Sequence, residues 1–141
     1  MNIYGSGSGL MRVMIGVGCD RGAPFETMET ALDQALALAG LKCEAVRGIA
    51  TIDKKHDEAC ILLLAERYHW PLRFFTAQEL AQVPVPNPSA TVLKYMGTPA
   101  VAEAAALLIA GIGADLLVEK HKHRGADGKN VTISIARISH E

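Results

Sequence analysis

Apolar positions along the chain fall into short runs separated by polar loops rich in glycine. Residues 12–18 carry Val13, Ile15 and Val17 at alternate positions, the pattern of a buried strand, and residues 18–24 form the loop after it. The period then changes. Phe25, Met28, Leu32, Ala35, Leu36 and Ala39 recur at three- and four-residue steps while Glu26, Glu29, Asp33 and Gln34 face elsewhere, which predicts a helix over Phe25–Ala39. Pro24 ahead of it, Glu26 in its first turn and Gly40 after it are start and stop signals. Residues 47–52 read as a second strand, followed by the polar stretch DKKHDE over 53–58. A second helix runs through Leu62, Leu63 and Leu64 to about Tyr68. Trp70-Pro71 ends it, because proline disfavours helical geometry in the residue before it.

Leu72–Phe75 is a short third strand, and Thr76 with Glu79 three residues on forms a capping box for a short helix through Leu80. The prolines of VPVPNPS, residues 83–89, remove N–H donors and make a rigid loop. Residues 89–96 suit a helix broken by Gly97. Thr98-Pro99 starts another, with Val101, Ala104, Ala105, Leu108 and Ile109 on one face. Ala102, Ala106 and Leu107 leave that helix little polar surface, so it is expected to cover the sheet or to meet a second subunit. Residues 116–120 and 131–137 are two further strands joined by a turn containing GADGKN, which implies an antiparallel pair. This order of elements predicts a three-layer α/β/α domain whose mixed, mainly parallel five-stranded sheet ends in an antiparallel hairpin. Residues 1–10, with YGSGSG, have the composition of a flexible segment or an expression scar. Met11 is then the functional start, and residues 11–141 make one domain.

Composition narrows the function classes. With 141 residues the chain suits one domain with a full core, and half its residues are apolar, which argues against disorder. A formal charge of -1 lacks the basic excess that phosphate backbones require, so no nucleic-acid partner is expected. The most apolar helix candidate, 101–112, carries Glu103 and is shorter than the roughly 20 residues that span a bilayer, so no membrane partner is expected either. Cys19, Cys43 and Cys60 are odd in number and match neither a C-x-x-C zinc pattern nor a disulfide framework. They suit a reducing compartment, the cytoplasm, with neither a metal nor a cofactor expected.

Candidate chemistry lies in the loops. In open α/β sheets ligands bind beyond the carboxyl ends of the parallel strands, where residues 18–23, 53–58 and 76–78 should emerge. Gly18, Cys19, Asp20, Arg21 and Gly22 sit where a strand feeds a helix. Exposed amides and the Arg21 guanidinium could there receive a carboxylate or phosphate, or the glycines could simply make a tight turn. The spacing G-x-G-x-x-x-G departs from the dinucleotide fingerprint. Asp53, Lys54, His56, Asp57 and Glu58 hold acid and base types fit for proton transfer, or form a solvated loop; Asp53 and Glu58 are the candidate bases. Lys55 and Thr76 complete the ligand-binding candidates. Cys19 near a helix start reads either as a nucleophile or as a packed turn residue. His121 and His123 alternate, so they share a strand face as metal ligands would, or belong to a basic exposed edge with Lys120, Lys122 and Arg124.

Five separated stretches, GVGCDRG, ATIDKKHDE, PLRFFTAQEL, VPNPSATVLKYMGTPAVAEAAALL and NVTISIAR, together resemble one family. It is the C-terminal domain of the cobalamin-biosynthesis protein CbiG, cobalt-precorrin-5A hydrolase, with its stand-alone relative CobE, and the likeness covers residues 12–138. Asp53, Lys55, Asp57 and Glu58 match the family's second loop, Ser89 and residues 97–103 its later helices, and residues 130–132 its last strand. Asp20 departs from the pattern, which has a basic residue after the cysteine. The chain is too short for the preceding CbiG regions, so the stand-alone form is the nearer likeness.

That resemblance implies a protein that binds or hands on a carboxylate-rich corrinoid or precorrin intermediate. Arg21, Lys54, Lys120 and Lys122 would be scattered cations for its acetate and propionate arms. It leaves open a hydrolase that opens a corrinoid lactone with release of acetaldehyde, and a module whose apolar helix docks on a pathway methyltransferase.

Overall fold

A computed structural model describes residues 11–84, 101–111 and 113–138. Its organising feature is the alternation along β1 (Val13–Cys19), which sends Val13, Ile15 and Val17 to one face of the sheet and Met14, Gly16 and Gly18 to the other. On the first face those three side chains are fully buried with Met28, Ala31, Leu32, Ala35 and Leu36 of α1 (Phe25–Ala39). Cys60, Ile61 and Leu64 of α2 (Ala59–Tyr68) join the same cluster. On the second face, Ala50 and Ile52 of β2 (Val46–Ile52) and Phe75 of β3 (Leu72–Phe75) pack with Leu80 of α3 (Ala77–Ala81). Val101, Ala104 and Ala105 of α4 (Val101–Ala110) close that layer. The expected three layers are therefore present.

The remaining strands are β4 (Asp115–Arg124) and β5 (Asn130–Arg137), and the sheet order is β3-β2-β1-β5-β4. β1 and β2 pair in parallel, as do β2 and β3, whereas β5 is antiparallel to both β1 and β4. It follows that β1, β2, β3 and β4 share one direction and β5 alone opposes them, a mainly parallel mixed sheet closed by a hairpin. β4 is longer than the predicted 116–120. Its polar run pairs on to the turn, with His121 opposite Ile133 and His123 opposite Val131, because ladder bonds need only the backbone and β4 is an edge strand with water beside it.

The helix ends follow their signals. Gly40 closes α1 in left-handed geometry (φ 69°), its N–H directed to Ala37 O. Thr76 and Glu79 cap α3 reciprocally. α2 stops one residue before Trp70, at His69, which takes φ 57°, and the Trp70 N–H donates to Ala65 O at 3.0 Å. The Trp70 ring stacks on Tyr68 with centroids 4.6 Å apart. The helix predicted over 89–96, the start at Thr98-Pro99 and most of the proline-rich loop lie outside the described residues.

Gly16 sets how closely α4 approaches the sheet. A Cβ there would fall inside the Ala102 carbonyl oxygen and within 2.7 Å of Ala106 N. With alanines on the helix and glycine on the strand, the two backbones touch, which buries Ala102, Ala105 and Ala106 at 5 % exposure or less.

Candidate functional site

The parallel strands β1, β2 and β3 end at Cys19, Ile52 and Phe75 on one rim of the sheet. Because β5 is reversed, with Val131 opposite Cys19, the turn over 125–129 opens onto the same rim. Of the three segments expected there, 18–23 and 53–58 are joined by Arg21–Asp57 and Gly22–Glu58, whereas the hydroxyl and N–H of Thr76, in 76–78, bond to Glu79 at the start of α3. The hairpin turn is a third wall that the sequence reading did not place, since an antiparallel pair can be read from alternation but its position in the sheet cannot.

Glu58, the residue ahead of α2, joins the first two loops. Its side chain is 4 % exposed, and Oε2 accepts the Gly22 N–H at 2.9 Å. Its Oε1 lies 3.2 Å from Arg21 Nη1 and 3.9 Å from Lys55 Nζ, ion-pair distances without hydrogen-bond alignment. Lys55 is itself buried, folded inward by the turn Asp53–Lys55. Arg21 is exposed, and it donates to Asp57 Oδ1 at 2.9 Å and to Lys54 O at 3.3 Å. That contact holds the Asp57 carboxyl below its ordinary value and raises the guanidinium further.

Asp20 ties the first loop to the hairpin, its Oδ2 accepting from Asn130 N at 2.8 Å and Asn130 Nδ2 at 3.2 Å. That carboxylate stands where the resembled pattern has a cation, and it fastens β1 to β5. Lys129 Nζ reaches the loop as well, 3.0 Å from the place a Gly22 Cβ would take.

The predicted site residues thus divide by position. Asp20, Arg21, Gly22, Asp53 and Lys54 are exposed at the rim, while Gly18 and Cys19 are half-buried at its floor. Gly22, with φ 77°, makes the tight turn, and its amide is taken by the protein's own Glu58 rather than left for a ligand. Lys55 faces inward to Glu58. Thr76 spends its hydroxyl on Glu79 N at 3.0 Å, capping α3. Of the two candidate bases, Asp53 is exposed and Glu58 is locked between loops.

Cys19 and Cys60 form a pair, Sγ to Sγ 3.9 Å. The hydrogen bond shared by the two sulfurs, then burial, pushes the Cys19 thiol well up, and the same bond lowers Cys60. The raised thiol disfavours Cys19 as an activated nucleophile. A carboxylate oxygen of Glu58 lies within 4.8 Å of both sulfurs, and this is the one group of three metal-ligating side chains among the described residues. Cysteine spacing missed it because Cys19 and Cys60 stand 41 residues apart on different elements. His121 and His123 lie on the edge strand, where His121 Nε2 meets Gln34 Oε1 at 2.7 Å. On the opposite face Lys120 Nζ lies 3.3 Å from the buried Glu103, whose proton affinity burial raises.

A family model described as cobalamin synthesis G C-terminus matches residues 13–136. Cobalt-precorrin-5A hydrolase of Priestia megaterium is 38% identical over 127 residues, 90% of this chain and 32% of that protein. Protein CobE of a Sinorhizobium species is 37% identical over 117 residues, 82% of this chain and 74% of that protein. The chain thus spans about a third of the hydrolase and about three quarters of CobE. A crystal structure of CobE, a protein from the cobalamin (vitamin B12) biosynthetic pathway, superposes with a TM-score of 0.79 at 33% identity, covering 93% of each chain. One of the cobalamin biosynthesis protein chiG from Agrobacterium tumefaciens gives 0.66 at 28% identity, covering 91% and 99%. With its matched stretch running from β1 to β5, the chain belongs to the cobalamin synthesis G C-terminal family and is a CobE-like protein of cobalamin biosynthesis.

Proposed function

We propose that this chain binds and hands on a carboxylate-rich corrinoid intermediate in the cytoplasm, at the rim walled by residues 20–24, 53–58 and 125–129, without breaking a bond in it. The observation that carries the reading is the state of Glu58. The carboxylate best placed to act as a base is buried and held by Gly22, Arg21 and Lys55, so it maintains the rim instead of meeting a substrate. Arg21, Lys54 and Lys129 supply positive charge around it, and the likeness to CobE, a protein of the cobalamin biosynthetic pathway, over 93% of both chains supports the reading.

The test is a spectroscopic titration of the purified chain with a corrinoid bearing free acetate and propionate arms, beside the same ring with those arms amidated. Saturable binding in the micromolar range or tighter is expected for the acid, weakened by salt, and little for the amide. Absence of binding by any acidic intermediate overturns the proposal. Release of acetaldehyde from a lactone-bearing intermediate would overturn it in favour of a hydrolase.

A further inference from the structure

We propose that Cys19, Glu58 and Cys60 form a binding site for one thiophilic divalent cation, with Zn²⁺ as the test ion. The three side chains come from the end of β1, the residue ahead of α2 and the second residue of α2, and their ligand atoms lie within 4.8 Å of one another. Two thiolates bound tetrahedrally to zinc by bonds of about 2.3 Å stand about 3.8 Å apart. The two sulfurs stand 3.9 Å apart. The corresponding sulfur-to-oxygen edge is about 3.5 Å, so Glu58 closes the cage by a shift of roughly 1 Å.

Two further observations support a cation there. Glu58 Oε1 is buried and, though 3.2 Å from Arg21 Nη1 and 3.9 Å from Lys55 Nζ, accepts no aligned hydrogen bond, in a protein interior where such atoms nearly always do. The local charges also balance. Two thiolates, one carboxylate and a divalent cation sum to one negative charge, which the buried Lys55 beside Glu58 cancels, while Arg21 and Asp57 cancel each other.

Binding breaks two S–H bonds and forms two S–Zn bonds, releasing two protons to solvent with no change of oxidation state. Three protein donors leave one position for water. The inference stands on these residues and does not depend on corrinoid binding.

The experiment titrates Zn²⁺ into the full chain, reduced with a phosphine, against a chromophoric chelator, and follows Co²⁺ as a spectroscopic probe in parallel. One equivalent should bind, with a thiolate-to-cobalt charge-transfer band and an affinity that rises with pH. Cys60→Ser, with its fold checked by circular dichroism, should weaken binding about 100-fold or more. Cys43→Ser, outside the cluster, should leave it unchanged. If Cys60→Ser loses its fold, Cys19→Ser gives the same reading. Absence of a stoichiometric ion, or of the charge-transfer band, overturns the proposal. So does binding that survives loss of either thiol and disappears with His121→Ala and His123→Ala.

Discussion

The Glu58 carboxylate accepts the Gly22 amide proton at 2.9 Å across 36 residues of sequence. That bond makes the loop after β1 and the loop after β2 a single structure. It also places a negative charge in the interior, which Lys55 at 3.9 Å compensates. Replacing Glu58 by alanine leaves a buried amine without a counter-charge and an amide without an acceptor, so Glu58→Ala should cost about 2–4 kcal/mol in urea unfolding. Glu58→Gln, which keeps an acceptor for Gly22, should cost less. Equal stability of all three proteins would show that the two loops are held by something else.

Arg21 tests the binding reading separately. Its guanidinium and the Asp57 carboxylate are both well exposed, 60% and 61%, and solvent screens such a pair. Arg21→Ala loses little with Asp57 but also the 3.2 Å contact to the buried Glu58 carboxylate, so it should lower the unfolding midpoint less than Glu58→Ala does and weaken the acidic corrinoid in the titration. A large loss of stability, or unchanged affinity, contradicts the role given to the exposed cation.

Gly16 and Gly18 stand two residues apart on the same face of β1 and should respond differently to alanine. At Gly16 the new Cβ meets α4 backbone, which no side-chain rotation can relieve, and Gly16→Ala should cost at least 1–3 kcal/mol, the usual range of about that size for overpacking. At Gly18 the nearest atoms are those of Val101 at 3.9 Å, an ordinary contact, so Gly18→Ala should be neutral or slightly stabilising. Unfolding curves of the two variants decide it.

Glu103 gives the stability a pH dependence. Burial raises its proton affinity above the ordinary value of 4.5, and the Lys120 ammonium offsets this only in part. The folded chain thus holds this proton more tightly than the unfolded chain does. The group's contribution to stability is fully present below the ordinary value and is lost as pH rises through the raised one. Glu103→Gln removes that dependence, so in urea unfolding the variant should gain on the wild type as pH rises from the ordinary value of 4.5 through the raised one. A difference that stays flat across this window would mean that Glu103 titrates normally.

The amino-acid order determined the local structure in most of the described chain. Phe25–Ala39, Leu72–Phe75 and the Thr76 capping box were legible because periodicity and caps are properties of neighbouring residues. That segments 18–23, 53–58 and 76–78 follow parallel strands to one rim was legible too, since parallel strands must deliver their following loops to the same side. Tertiary structure alone decided that β5 inserts between β1 and β4, bringing the turn at 125–129 and Asn130 to Asp20. It alone turned Lys55 inward, spent the Gly22 amide on Glu58 and set Cys19 against Cys60. Those contacts join residues tens of positions apart. Their geometry depends on strand order and register, which backbone hydrogen bonding and core packing select over the whole molecule and which no local stretch of residues encodes.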